Sequence, residues 1–406
     1  MKLLRFYSGN KWSPQTSSMA KFLFAPMFFL FAGISNSFFQ IYLARTLQPQ
    51  GFGVFENYWS IISNLALLFS GTQVFAAYAM LAPELSNSPV KGTKTRFDYY
   101  LKSSTVVALL ITSIVLSLIN FGSLRHLTLL PIIVILTSIP NSILGNVMSG
   151  KVQGSSHPTE LQIWGFLMSF SKVLIVIFLT LVTHDVITII IVLQVKQLVF
   201  GALLLIRNRG RKKINESFFH RKSLQINLHY MLFWLVAGFD VSFFGRKASN
   251  VQLGNYAAAA NIGKLILIIA VSVPTILFRS ILSEEVASNA KNRKRTGNFF
   301  LTLGLGLIIL VLIIGRDPLF SLIYGKNYSE AANIFIGYAI AMFPLSLYFY
   351  ELTFKFIELK LKTSIYLFVI AVVQLTGMGF LNLNTSLFLS FIGFGSLGSL
   401  LVLKLT

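Results

Sequence analysis

The sequence predicts an all-α integral membrane protein of about 12 transmembrane helices, arranged as two six-helix bundles related by a pseudo-two-fold axis along the membrane normal, around a central cavity. Three observations carry this expectation. Hydrophobic residues fill 55% of 406 positions and charged residues only 12%, against roughly 45–50% and about 25% in soluble domains. The apolar residues come in blocks of about 20, the length a helix needs, at roughly 1.5 Å per residue, to cross a hydrocarbon core of about 30 Å. The basic residues collect on one side of those blocks.

Inside lipid every backbone N–H and C=O must be satisfied within its own segment, so the blocks are helices. They also lack the alternation of a barrel strand. In chain order the expected spans are 22–44, 55–82, 103–120, 127–149, 160–183 and 185–206, then 227–247, 254–282, 298–315, 331–357, 363–380 and 385–404. The segment before Lys21 is polar and lacks the short apolar core and small-residue cleavage site of a removable leader, so the first span is expected to stay in the membrane.

Orientation follows from the cations, because cytoplasmic loops retain Lys and Arg. With both termini inside, the inner loops and tails hold 25 of the 34 Lys and Arg residues, the outer loops hold 6, and 3 lie within spans. The richest inner loops are Arg207 to Lys222 and Arg279 to Arg295. The formal charge of +21 is therefore read as a topology signal with some affinity for anionic membrane lipids. No nucleic-acid partner is expected, since the basic stretches lack interleaved aromatics and flank spans.

The chain has no cysteine, which removes thiolate and disulfide chemistry. His126, His157, His184, His220 and His229 are scattered without metal-ligand spacing. No phosphate-binding G-x-x-x-x-G-K-[ST] loop is present, and no cofactor is expected. The longest outer connection, 316–330, is too short for a catalytic domain, which points away from an enzyme.

Polar groups inside spans are costly, about 2.5–3.5 kcal/mol for a charge at a helix centre, so each should face a cavity or a partner. Lys172, Lys196 and Lys264 set against Asp240 leave a net positive interior, suited to a phosphate or another acidic group. Each lysine alone could instead snorkel or pair with Asp240. Asn57 and Asn64 are seven apart on one face and are candidates for lining the cavity, as is Asn261; most other amides read as glue between helices. Pro140, Pro274 and Pro344 are expected to interrupt their spans. Glu351 with Lys355, and Glu358 with Lys362, read as surface pairs at i, i+4.

Sliding the chain by 201 positions sets Arg45 over Arg246 and Gly53 over Gly254, with Glu84 facing Glu285. The expected organisation is thus an N-terminal bundle at 1–206, a basic cytoplasmic linker at 207–224 and a C-terminal bundle at 225–406. Two such bundles rocking about a shared cavity give alternating access.

The stretch Leu43-Ala44-Arg45-Thr46-Leu47-Gln48-Pro49-Gln50-Gly51-Phe52-Gly53-Val54-Phe55 resembles the first hairpin of bacterial polysaccharide flippases of the O-antigen type, within the superfamily of multidrug, oligosaccharidyl-lipid and polysaccharide exporters. Leu253-Gly254-Asn255-Tyr256-Ala257-Ala258-Ala259 and Ile323-Tyr324-Gly325-Lys326-Asn327-Tyr328-Ser329-Glu330-Ala331-Ala332 are similar to later segments of the family. The resemblance implies transport of an undecaprenyl-pyrophosphate-linked oligosaccharide to the outer leaflet of the bacterial cytoplasmic membrane, alongside other polysaccharide assembly proteins. On that reading Lys172, Lys196 and Lys264 meet the headgroup, with Arg45 and Arg246 near the outer mouth. Asp240 either balances Lys264 or carries a coupling ion, a proton or sodium. The alternative is a drug or metabolite antiporter of the same superfamily, which needs buried carboxylates.

Overall fold

The computed structural model describes residues 17–85, 138, 142–143, 145–150, 152, 158–207, 221–282, 287–355, 361–380 and 385–405. Most of the third and fourth expected spans, Pro140, the core of the basic linker and Glu358 lie outside the described residues.

The described helices are α1 (Ser17–Leu68), α2 (Ser70–Leu85), α3 (Pro158–Val182), α4 (Val186–Arg207), α5 (Arg221–Gly238), α6 (Asp240–Gly245), α7 (Asn250–Leu282), α8 (Ala287–Ile314), α9 (Arg316–Ile323), α10 (Ser329–Lys355), α11 (Leu361–Phe380) and α12 (Thr385–Leu405). These labels number helices, not membrane crossings. Helix α1 contains two crossings. Its backbone leaves helical geometry at Gln48, with φ of 59°, and the ring of Phe39 meets those of Phe55 and Trp59 at 6.0 and 5.8 Å. Residues that far apart on one straight helix would be separated by roughly 25–30 Å at about 1.5 Å per residue, so the chain folds back on itself.

Burial is arranged for lipid. Peripheral helices turn Phe178, Val311 and Phe380 outward, where the solvent is hydrocarbon. The centre belongs to α7, whose buried run Ala257, Ala258, Ala259 and Ala260 lets α1 approach on one side and α10 on the other. Small residues suit this place, because helix association in lipid depends on close van der Waals contact. Helix α10 then packs on α12, α3 on α1, and α2 on α5.

The breaks do not fall at the expected prolines. Both α7 and α10 run unbroken through Pro274 and Pro344, since neighbouring helices support the freed backbone groups. The interruptions come instead at Phe69, at Phe239 and at Gly315, where α8 turns through 74° into α9.

One end of the bundle, called here the hairpin end, carries the turns that join successive crossings. It includes the α1 fold-back, the 246–249 turn and the hairpin at 183–185, which the bond from Tyr42 to Thr180 at 3.0 Å places beside the end of the first crossing. There Asp185 accepts from the backbone and hydroxyl of Thr188 at 2.9 and 2.6 Å. Those bonds hold its carboxyl below the ordinary range and cap α4.

At the same end the two repeat-related turns contact each other reciprocally. A side chain on Gly53 would enter the backbone of Asn250, and one on Gly254 the backbone of Pro49. Each of the C-terminal partners lies 201 positions beyond its N-terminal counterpart, so the sequence offset reappears as a self-complementary, two-fold contact. Gly53→Val and Gly254→Val should each lower the thermal midpoint of the detergent-purified protein, by an overpacking cost of about 1–3 kcal/mol or more. Gly304→Ala, with nothing within 4 Å, serves as the control; an equal shift for all three contradicts the reciprocal contact.

Candidate functional site

The C-terminal half is organised around a buried carboxylate. Asp240 follows the break at Phe239 and begins α6. Its Oδ1 accepts from Lys264 Nζ at 3.1 Å, and its Oδ2 from the hydroxyls of Tyr338 at 2.6 Å and Tyr256 at 3.2 Å. The Asp240 side chain is entirely out of solvent and that of Lys264 is 27% exposed. The local sequence makes this geometry: Gly263 presents no Cβ to the Tyr338 ring, so the ring lies against α7, and Phe244 stacks on Tyr256 at 4.3 Å. Asp240 and Lys264 thus form a hydrogen-bonded ion pair inside the second half.

The N-terminal half holds two lysines, Lys172 and Lys196, that make no ion pair among the described residues. Lys172 on α3 donates to Asn36 Oδ1 and lies over the Phe39 ring at 4.2 Å, with Trp59 at 5.7 Å. Lys196 on α4 is buried, donates to the carbonyl of Met168 at 2.8 Å and has the Phe200 ring at 5.6 Å. Lys172 thus reaches toward the paired crossings of α1, whereas Lys196 is bound to the backbone of its own α3–α4 hairpin.

Between the halves lies a residue that the sequence reading missed. Glu56 on the second arm of α1 is only 4% exposed. It sits near Asn261, in the fields of Lys264 and Asp240 from one half and Lys172 from the other. Its Oε1 and the Asn261 Nδ2 are buried without hydrogen-bond partners. A signal was present: Glu56, Ser60 and Asn64 recur every four residues and so form one polar stripe on a helix face. The stripe is bonded across to the other half, with Ser60 at 3.0 Å from Ser242 and Asn64 donating to the carbonyl of Gly238. The interior is accordingly less positive than three lysines against one aspartate.

The other sequence candidates make the following contacts. Arg45 is exposed at the hairpin end and donates from Nε to the carbonyl of Ile323 at 2.7 Å and from a second guanidinium nitrogen to that of Leu322. Arg246 lies against the Phe243 ring at 5.9 Å, and its Nε has no partner. Asn64 is glue between the halves, and Asn57 lies where a Cβ on Gly245 would meet it. His229 is buried, with Gln225 and Ser364 on its two ring nitrogens at 2.6 and 3.1 Å. Glu351, expected in a surface pair with Lys355, is instead buried at 4% exposure, because α10 packs it against its neighbours, and Lys355 donates to the carbonyl of Leu403.

Fold and site together define a multi-pass helical membrane protein with two lobes and charged groups buried on both sides of their seam. No family model matches the chain, and no curated protein matches it. Solved structures do. An inward-facing multidrug resistance MATE family transporter of the MOP superfamily shares 12% identity over 95% of this chain and 97% of its own, with a TM-score of 0.62. An outward-facing one shares 14% over 94% of each chain, with a TM-score of 0.56. A MOP superfamily transporter from Pyrococcus furiosus, described by the reverse polarity of its binding pocket, shares 12% over 95% of this chain and 93% of its own, with a TM-score of 0.61. The fold is that of the MATE transporters of the MOP superfamily. The likeness is one of fold and does not single out the polysaccharide flippases that residues 43–55 resemble.

Removing one partner from the Asp240 cluster leaves a buried charge uncompensated, which in soluble proteins costs about 3–5 kcal/mol. Asp240→Asn should therefore lower the thermal midpoint sharply, and adding Lys264→Met should restore most of the loss. A double variant no more stable than Asp240→Asn alone contradicts the pairing.

Proposed function

We propose that the chain is an alternating-access transporter of amphiphilic solutes, a drug or metabolite antiporter in mode, whose cargo passes between the two lobes. The observation that carries this reading is Glu56, a buried carboxylate at the seam between cations of both halves. An antiporter needs buried carboxylates to exchange cargo against a proton or sodium. Of the three buried among the described residues, Asp240 is bound up by three donors, Glu351 lies near the end of α10, and Glu56 is the one set at the seam. The likeness to multidrug resistance transporters supports the same reading. In it residues 1–206 and 225–406 rock about the seam, the linker at 207–224 and both termini are cytoplasmic, and the hairpin end is the outer one.

A second reading has its own support. Lys172 and Lys196 lie together in the N-terminal half with no carboxylate partner among the described residues, an arrangement that suits the pyrophosphate of a lipid-linked oligosaccharide. The partners would then be that lipid, the surrounding membrane lipids and polysaccharide assembly proteins of a bacterial inner membrane. The fold hosts pockets of opposite polarity, as the Pyrococcus furiosus transporter indicates for itself.

Deleting the gene and restoring variants separates the two. In the antiporter reading the deletion sensitises cells to cationic dyes, Glu56→Gln reduces dye export on the order of tenfold, and Lys172→Ala with Lys196→Ala leaves it intact. In the flippase reading lipid-linked oligosaccharide accumulates on the inner leaflet and the lysine variants fail to restore surface polysaccharide. Dye resistance unchanged by the deletion overturns the first reading.

A further inference from the structure

The α9 segment belongs to the second half, yet its bonds run to the first. Helix α9 must satisfy its last carbonyls, as every helix must. The backbone N–H groups of Tyr324 and Gly325 take those of Phe320 and Ser321. Gly325, with φ of 92°, supplies the left-handed residue such a terminus favours. The two carbonyls that remain, Leu322 and Ile323, are taken by Arg45, a cation at the negative end of the helix. Beyond it Asn327 Nδ2 donates to Gln48 Oε1 at 2.6 Å, and the Tyr328 hydroxyl donates to the carbonyl of Ala44 at 2.8 Å. Every one of these bonds joins the second half to the residues of the α1 fold-back.

We propose that residues 316–328 form a latch that holds the hairpin-end mouth between the lobes shut, with Arg45 as its catch, and that the latch releases when the mouth opens. Three features fit a contact made to be broken. Arg45, Gln48 and Asn327 are exposed, so water replaces their bonds at little cost. Gln48 is the only described non-glycine residue at positive φ, a strained conformation that persists where surrounding contacts over-determine it; its side chain is tied both to Asn327 and to the carbonyl of Arg45 at 2.9 Å. The segment also reaches inward, because Tyr324 and Tyr328 are buried. Arg45 acts by positioning this segment rather than by holding cargo.

The transport reading supplies the reason for the mouth to open, but the latch contacts stand without it, and the test needs no cargo. Because the chain has no cysteine, His184→Cys and Asp317→Cys, both exposed positions at the hairpin end, accept a spin-label pair cleanly. Distances are measured on the full-length protein in nanodiscs of phosphatidylethanolamine and phosphatidylglycerol. The expected result is one short-distance population in the parent, a longer population raised about fivefold or more by Arg45→Ala, and an intermediate rise with Arg45→Lys, which keeps the charge but not the two-pronged fork. Should Arg45→Ala fail to fold, Asn327→Ala combined with Tyr328→Phe removes the other two bonds and should raise the same population. Unchanged distances in the variants that fold, or a lowered thermal midpoint with no longer population, overturn the latch. A latch that fails while dye export persists leaves the transport reading standing; dye resistance unaffected by gene deletion, with the distance shift observed, does the reverse.

Discussion

Asp240 sets the terms for the packing of the second half. A carboxylate at that depth has no water to fall back on, and a buried charge is stable only when paired and hydrogen-bonded on its remaining lone pairs. Its donors come from α7 and α10, two helices far apart in sequence. Bringing both to one point fixes how α10 lies on α7 and requires Gly263 beneath the Tyr338 ring. It also accounts for the break at Phe239, which starts a new helix with Asp240 facing inward. The aromatic stack of Phe244 on Tyr256 then fills the space beside the cluster.

The first half solves a similar problem with different chemistry. Lys172 has an amide oxygen and two aromatic faces rather than a carboxylate. A ring face attracts a cation by about 0.5–2 kcal/mol, enough to orient the ammonium without neutralising it. Lys172 is thus held by an amide and ring faces, whereas Lys264 is committed to Asp240. Glu56 lies between them and makes the polarity of the seam a balance between lobes rather than a property of either one.

How much of this was legible in the sequence follows from the range of each interaction. Crossings such as α3, α4, α11 and α12 were readable because twenty apolar residues need no partner to declare themselves. The repeat offset was readable at Gly53 and Gly254 because backbone contact tolerates no other residue there. Most helix breaks were not: Pro274 and Pro344 lose a local bond that neighbouring helices support, while Phe69 and Phe239 give way to packing. The break at Gly315 does fall at the expected end of the ninth span, where Gly315 and Pro318 mark it. Glu56 escaped because it stands at the edge of an apolar block, and only the fold-back at Gln48 makes that edge an interior. The partners of Arg45 were hidden for a related reason, since the helix end that engages it lies nearly 280 residues downstream.

The repeat also shows where symmetry stops. At the offset of 201 that pairs Gly53 with Gly254, Asp240 pairs with Phe39. Each position receives a lysine: Lys264 on the carboxylate at 3.1 Å and Lys172 on the ring at 4.2 Å. The backbone frame is repeated and the answering group is not, so one lobe carries a neutral pair where the other carries a charge. A frame of two equivalent lobes supplies the rocking motion, but equivalent lobes would bind a ligand identically on both sides of the seam. Exchanging one carboxylate for a phenyl ring removes that equivalence: Lys264 is ion-paired, whereas Lys172 and Lys196 make no ion pair among the described residues.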